Sequence, residues 1–184
     1  PRRVQARPTE PGGEQATLPL DEPFRNEPDT DVSVPANQRW AGGLAEKIGS
    51  SEWYASVAVP ELLKDMDQDS DEAMQAVNDV VATAKAAGKH WAATPARERA
   101  EILNRAADIL AARRGHLMAV AGAETGKVLE QSDPEVSEAV DFCRYYARRA
   151  LELEFVDGGT IVPHHVTVVT PPWNFPLACL LYTS

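Results

Sequence analysis

The run Val166, Thr167, Val168, Val169, Thr170, followed at once by Pro171 and Pro172 and then by Trp173, Asn174, Phe175 and Pro176, constrains this chain more than any other stretch in it. Five consecutive β-branched side chains suit a pleated sheet, so residues 166–170 read as a short buried strand. Neither proline can donate a ladder hydrogen bond, so the strand must stop at Thr170. Trp173 and Asn174 then fall on a turn at the carboxyl end of a strand. In open α/β sheets, that is where ligands bind.

The chain's 184 residues suffice for one ordinary domain. Its apolar and charged fractions, 43% and 25%, are those of a folded globular protein. No apolar run approaches the roughly 18 residues that suggest a membrane span, and no charged-then-apolar leader opens the chain. A net charge of −10 without a sustained basic patch argues against nucleic acid or anionic membrane as the main partner. Two cysteines in different settings make no disulfide framework, which points to a reducing, cytoplasmic setting.

Residues 1–38 are punctuated by Pro8, Pro11, Gly12, Gly13, Pro19, Pro23, Pro28 and Pro35. That spacing predicts a linker or extended docking segment without helix. The middle of the chain reads as helical. Asp69 or Ser70 can cap a helix running to about Gly88, with Ala73, Val77, Val80, Val81, Ala84 and Ala87 as its apolar stripe. Thr94, with Pro95 at the first helical position, caps a second helix striped by Ile102, Leu103, Ala106, Ile109 and Leu110. Arg113, Arg114 and Gly115 close it. A third helix covers about His116 to Glu124. Asp133 and Pro134 repeat the cap-plus-proline start for a fourth, striped by Val136, Ala139, Val140, Cys143, Tyr146, Ala147, Ala150 and Leu151.

Several of these stretches match known motifs in order. They are P-W-N-F-P (Pro172 to Pro176), the helix W-A-A-T-P-A-R-E-R-A-E-I-L-N-R-A-A-D-I-L-A-A-R-R starting at Trp91, A-E-T-G-K (Ala123 to Lys127), and E-A-V-D-F-C-R-Y-Y-A (Glu138 to Ala147). Together they resemble the N-terminal region of the aldehyde dehydrogenase superfamily. F-R-N-E-P-D-T-D (Phe24 to Asp31) with A-N-Q-R-W-A (Ala36 to Ala41) further resembles the entry to the glutamate-semialdehyde dehydrogenase half of bifunctional proline-utilisation proteins. The resemblance covers about Phe24 to Ala178. It implies an α/β fold of which this chain carries the N-terminal, mainly helical part of a cofactor-binding domain, cut before most of its parallel sheet. Residues 1–38 would be the Pro-rich linker or docking segment and residues 39–178 the partial domain. Residues 179–184 read as one translation of a common transposon-based sequencing adapter, with a natural C-terminus as the alternative.

The same resemblance implies the chemistry. The activity would be NAD- or NADP-dependent oxidation of an aldehyde, L-glutamate γ-semialdehyde to glutamate in proline catabolism. FAD would belong only to an upstream proline dehydrogenase domain in the same polypeptide, and the full-length protein would be a homo-oligomer. Asn174 would be the catalytic residue, an oxyanion-hole donor. Thr170, Pro171, Pro172 and Trp173 would line the cofactor. The nucleophilic cysteine, the general-base glutamate and the glycine of the cofactor helix would all lie downstream, so the chain alone is expected to be inactive. Two alternatives stand beside this: another semialdehyde dehydrogenase of the same superfamily, or a non-catalytic helical interaction module.

Other chemistry-bearing residues read as structural. Cys143 sits in an apolar stripe, where cysteine behaves as a small hydrophobe. Glu124 and Lys127 read as exposed residues at a helix end closed by Gly126. His164 and His165 are adjacent on an extended segment and point to opposite faces, which does not suit one metal ion. No glycine-rich dinucleotide fingerprint is present.

Overall fold

The computed structural model describes residues 18–58, 66–162, 164 and 166–182. Seven α-helices occur among them: α1 Pro35–Ile48, α2 Ser51–Val57, α3 Asp71–Ala93, α4 Ala96–Ala112, α5 Arg114–Thr125, α6 Leu129–Glu152 and α7 Ala178–Tyr182. A short 3-10 turn, Leu153–Phe155, follows α6. None of these helices is long and apolar enough to cross a membrane.

The central helix is α6. Against α4 it buries Val140 and Cys143 on Ala107 and Ala111, with Ala106, Leu110 and Leu181 at the margin. Ala100, Ala107, Ala111, Ala139 and Ala147 have no exposed surface, and side chains this small let the two helix backbones approach closely. Near its start, α6 places Val136 against Met118 and Ala119 of α5 and Leu44 of α1, with Trp40, Ile48, Trp53 and Leu177 packed around them. α1 reaches α5 over two glycines. A Cβ on Gly115 would lie 2.9 Å from the Trp40 ring, and one on Gly122 would lie 2.7 Å from Ile48 Cδ1. Those two missing side chains make room for the bulky face of α1.

The helix starts follow local chemistry, though not always as the sequence predicts. Ser70 caps α3 as expected, its Oγ accepting from the Ala73 amide at 3.1 Å. That helix runs through Gly88 to Ala93 rather than stopping there. α4 begins at Ala96, one residue later than the cap reading, because the Thr94 hydroxyl donates back to the His90 carbonyl at 3.1 Å. The largest departure is α6. It starts at Leu129 and holds Pro134 inside its run, so Asp133 is no cap. The Val128 carbonyl accepts from the Gln131 and Ser132 amides, both at 3.0 Å, and so closes the first turn upstream. Asp133 serves tertiary contacts instead, accepting from the Thr30 amide at 2.6 Å, the Thr30 hydroxyl at 2.7 Å and Arg114 Nη1 at 2.9 Å.

The expectation that residues 1–38 hold no helix fails at the end of that segment, where Pro35 opens α1. Proline suits the first helical position, since its missing N–H has no intrahelical partner to lose. Ahead of it, residues 18–34 lie on the helices as a strap without helix, with turns at Pro19–Glu22 and Asp31–Val34. The prolines leave carbonyls facing inward, and arginines satisfy them. Arg148 donates to the Pro19 and Glu22 carbonyls at 2.8 and 3.1 Å, and Arg114 donates to the Pro28 carbonyl at 3.3 Å. The Glu27 carboxylate bridges Arg144 at 2.7 Å and Arg114 at 3.6 Å. Asp141 accepts from the Asn26 side chain at 2.6 Å and the Glu27 amide at 2.7 Å. Phe24 meets the Tyr145 ring edge-on, at 5.7 Å.

By contrast, α3 buries only Ala73, and its stripe residues Val77, Val80 and Val81 stay exposed together with Met74. The expected strand at 166–170 is also absent. Those residues run extended and mostly exposed, without a β-ladder among the described residues. β-branched residues favour extension, but a strand exists only through a neighbouring strand's backbone, and none of the described residues supplies one.

Candidate active site

Pro172 cannot donate, but its carbonyl accepts from the Phe175 amide at 3.0 Å and closes a turn over Pro172–Phe175. Pro172, Trp173 and Asn174 are exposed on it, Trp173 at 74%; Thr170 is exposed just before it, and Pro171 and Phe175 are half-buried. Three of the five residues singled out from the sequence thus lie exposed on one turn, with Thr170 and Pro171 immediately before it.

The underside of the turn rests on two charged residues from different elements. Gly126 ends α5 at φ +71°, a left-handed conformation open to glycine without strain. Its amide donates to the Gly122 carbonyl at 3.0 Å. This stop turns the chain so that Lys127, the next residue, points beneath the P-W-N-F-P turn. Lys127 is therefore not the exposed helix-end residue that its position suggests: only 10% of its side chain is accessible. Its ammonium pairs with Glu135 Oε2, donates to the Asn174 carbonyl at 3.2 Å and lies 5.1 Å from the centre of the Phe175 ring. Glu124, three residues earlier, is exposed as expected and accepts from the Tyr54 hydroxyl at 3.1 Å.

Glu135 comes from the second turn of α6 and is 2% exposed. A carboxylate so buried is costly unless paired and hydrogen-bonded. Here one oxygen takes the lysine, and the other accepts the Leu177 amide at 2.7 Å and the Ala178 amide at 3.2 Å. Sequence reasoning missed Glu135 because Asp133-Pro134 imitates a helix start and makes Glu135 an ordinary first-turn acid. The available signal was the lysine directly after a glycine helix stop, a cation aimed off the end of α5.

The other candidates do not join this site. Cys143 is buried between α4 and α6, and burial pushes its thiol up to about 11, although the Arg144 charge pulls the other way. A thiol so protonated is a poor nucleophile. His164 is exposed, and His165 lies outside the described residues. For a dinucleotide, Thr170 to Trp173 offer one hydroxyl, two donor-free rings and an open indole face. That set fits the edge of a nicotinamide ring and supplies no charge for a pyrophosphate.

The Aldehyde dehydrogenase family model matches residues 56–183, more than half of the chain. The chain belongs to that family. It is 31% identical over 199 aligned residues to the 1-pyrroline-5-carboxylate dehydrogenase of Anoxybacillus flavithermus, an alignment spanning 89% of this chain and 37% of that relative. It is 41% identical over 115 residues to a Mycolicibacterium smegmatis protein provisionally named succinate-semialdehyde dehydrogenase [NADP(+)], covering 56% of this chain and 22% of the relative. Among solved structures, proline utilization A from Bdellovibrio bacteriovorus superposes with a TM-score of 0.63 at 27% identity, over 91% of this chain and 20% of that one. The chain therefore spans well under half the length of the relatives it matches.

Proposed function

We propose that this chain is part of an NAD(P)-dependent aldehyde dehydrogenase that oxidises L-glutamate γ-semialdehyde to glutamate in proline catabolism. The oxyanion chemistry in this reading rests on the P-W-N-F-P turn, held from below by Lys127 and Glu135 while Asn174 and Trp173 face outward, and the substrate on the 31% identity to a 1-pyrroline-5-carboxylate dehydrogenase. Attack by a cysteine thiolate on an aldehyde places negative charge on the carbonyl oxygen. A side-chain amide held on a rigid turn stabilises that charge without having to reorganise, and one such donor lowers the barrier by about 3 kcal/mol. Asn174 takes that role, and Thr170 to Trp173 line the edge beside it. The cofactor, when bound, accepts the hydride. In this reading the nucleophile and the base reside in the part of the relatives' length that this chain does not span, and the chain alone is inactive. The whole enzyme is an α/β protein of the cytoplasm that assembles as a homo-oligomer, with an upstream proline dehydrogenase domain.

Asn174→Ala in the full-length protein tests the assignment. The stopped-flow NADH burst is expected to slow by roughly 10²-fold or more, with NAD affinity nearly intact. An unchanged burst leaves W-N-F-P as a packing motif. The Mycolicibacterium relative favours a second reading, in which the substrate is a semialdehyde without an α-amino group, such as succinate semialdehyde. The ratio of kcat/KM for the two semialdehydes decides between them.

A further inference from the structure

The most unusual polar arrangement in the molecule is the one that the proposed chemistry does not itself use. Lys127 and Glu135 are 10% and 2% exposed, and among the described residues the polar contacts of their side chains beyond each other go to the backbone or a ring of residues 174–178. A buried ion pair is a poor way to stabilise a fold, since desolvation offsets much of its attraction and apolar residues of similar volume do as well. Its particular property is directional: charged partners fix backbone positions that apolar packing leaves loose. Here the fixed positions bracket the turn. The lysine holds the Asn174 carbonyl, and the glutamate holds the Leu177 and Ala178 amides just after the turn. Between them the peptides on both sides of Phe175 and Pro176 are set, and the aromatic ring of Phe175 closes over the ammonium.

We infer that Lys127 and Glu135 are positioning residues that aim the Asn174 side-chain amide at the reacting oxygen. They touch neither substrate nor cofactor and act through the backbone of residues 174–178, Lys127 on the Asn174 carbonyl and Glu135 on the Leu177 and Ala178 amides. This inference rests on the oxyanion role of Asn174. An oxyanion donor works only within a few tenths of an ångström of its target, and a displacement of about 1 Å can cost 10²-fold in rate. A clamp on the carbonyl of the donor residue itself is the shortest mechanical route to that tolerance. The two members also divide the work. Lys127 acts on Asn174 directly, whereas Glu135 holds the far side of the turn and keeps Lys127 in place.

The test uses the full-length protein and reads the NADH burst rate and NAD affinity for Glu135→Ala, Glu135→Gln, Lys127→Met, Asn174→Ala and the pair Asn174→Ala with Glu135→Ala. Glu135→Ala and Lys127→Met should each slow the burst by about 10-fold or more, with NAD affinity changed less than 2-fold. Glu135→Gln keeps an oxygen acceptor for the Leu177 and Ala178 amides and should recover part of the loss. Added to Asn174→Ala, Glu135→Ala should slow the burst little further, because the donor it aims is already gone. Should Glu135→Ala fail to fold, Lys127→Met and Glu135→Gln carry the test. Losses that multiply in the pair, or that lower NAD affinity and burst rate together, would show a merely structural role and overturn the inference. A slowed burst in Asn174→Ala alongside normal bursts in Glu135→Ala and Lys127→Met sinks the inference and leaves the oxyanion reading standing. An unchanged burst in Asn174→Ala sinks both.

Discussion

Replacing Arg114 by methionine tests what holds the strap to the helices. Its guanidinium is 3% exposed and donates to Asp133 Oδ1 at 2.9 Å, the Asp133 carbonyl at 3.0 Å, Ser137 Oγ at 3.0 Å and the Pro28 carbonyl at 3.3 Å, with Glu27 a further 3.6 Å away. Removing one partner of a buried ion pair costs about 3–5 kcal/mol, because the other charge stays buried without it. The lower end applies here. Asp133 keeps the Thr30 amide and hydroxyl, and Glu27 keeps Arg144. Methionine fills most of the volume of the arginine stem, so packing adds little. The expected loss is about 3 kcal/mol, and with a urea m-value of about 2 kcal/mol/M the unfolding midpoint falls by about 1.5 M. Equilibrium urea unfolding of the 184-residue chain by far-UV circular dichroism measures it. Arg97→Met is the control, since its pair with Glu101 at 3.4 Å is 66% and 50% exposed and contributes under about 0.5 kcal/mol. Amide exchange at Thr30 should rise in Arg114→Met and stay unchanged in Arg97→Met. If the two variants unfold at the same midpoint, the buried arginine is not what secures the strap.

Other outcomes follow from the same geometry. Cys143, with its thiol pushed up to about 11 by burial, should stay unreactive toward a disulfide reagent at pH 8 until the chain is unfolded; rapid labelling in native buffer would contradict its placement between α4 and α6. Asp141 has its carboxyl raised above the ordinary 3.8 chiefly by burial, against the hydrogen bonds from Asn26 and Glu27. Its folded-state value lies above its unfolded one, so the penalty is absent below the unfolded value and complete above the folded one. The stability of Asp141→Asn relative to the parent should therefore improve as pH rises through the carboxylate range, and a difference that shrinks with rising pH would reverse this assignment.

The helices of this chain were legible because their signals are local. Ser70 as a cap, Gly126 as a left-handed stop and the three-and-four spacing in α4 and α6 act within a turn or two of themselves. Cys143 was legible as a packing residue for the same reason, since its place in the stripe of α6 follows from periodicity. The site turn was legible as a turn, because two prolines and an asparagine leave the backbone few choices. What the local signals could not decide was where competing partners lie. Asp133 carries every mark of a helix cap, yet Thr30 and Arg114, distant in sequence, claim its oxygens, and α6 starts five residues earlier than that cap implies. Residues 166–170 have the composition of a strand, but strand structure is a property of two backbones, and the chain's own described residues provide one. The Pro-rich strap has almost no apolar pattern to read, and its order comes from Arg114 and Arg148, distant in sequence, which satisfy its carbonyls. Lys127 and Glu135 are eight residues apart and look like surface charges. Only the meeting of α5's end with α6's second turn under residues 174–178 buries them as a pair, because the cost of desolvating each is met by the other and by the backbone they hold.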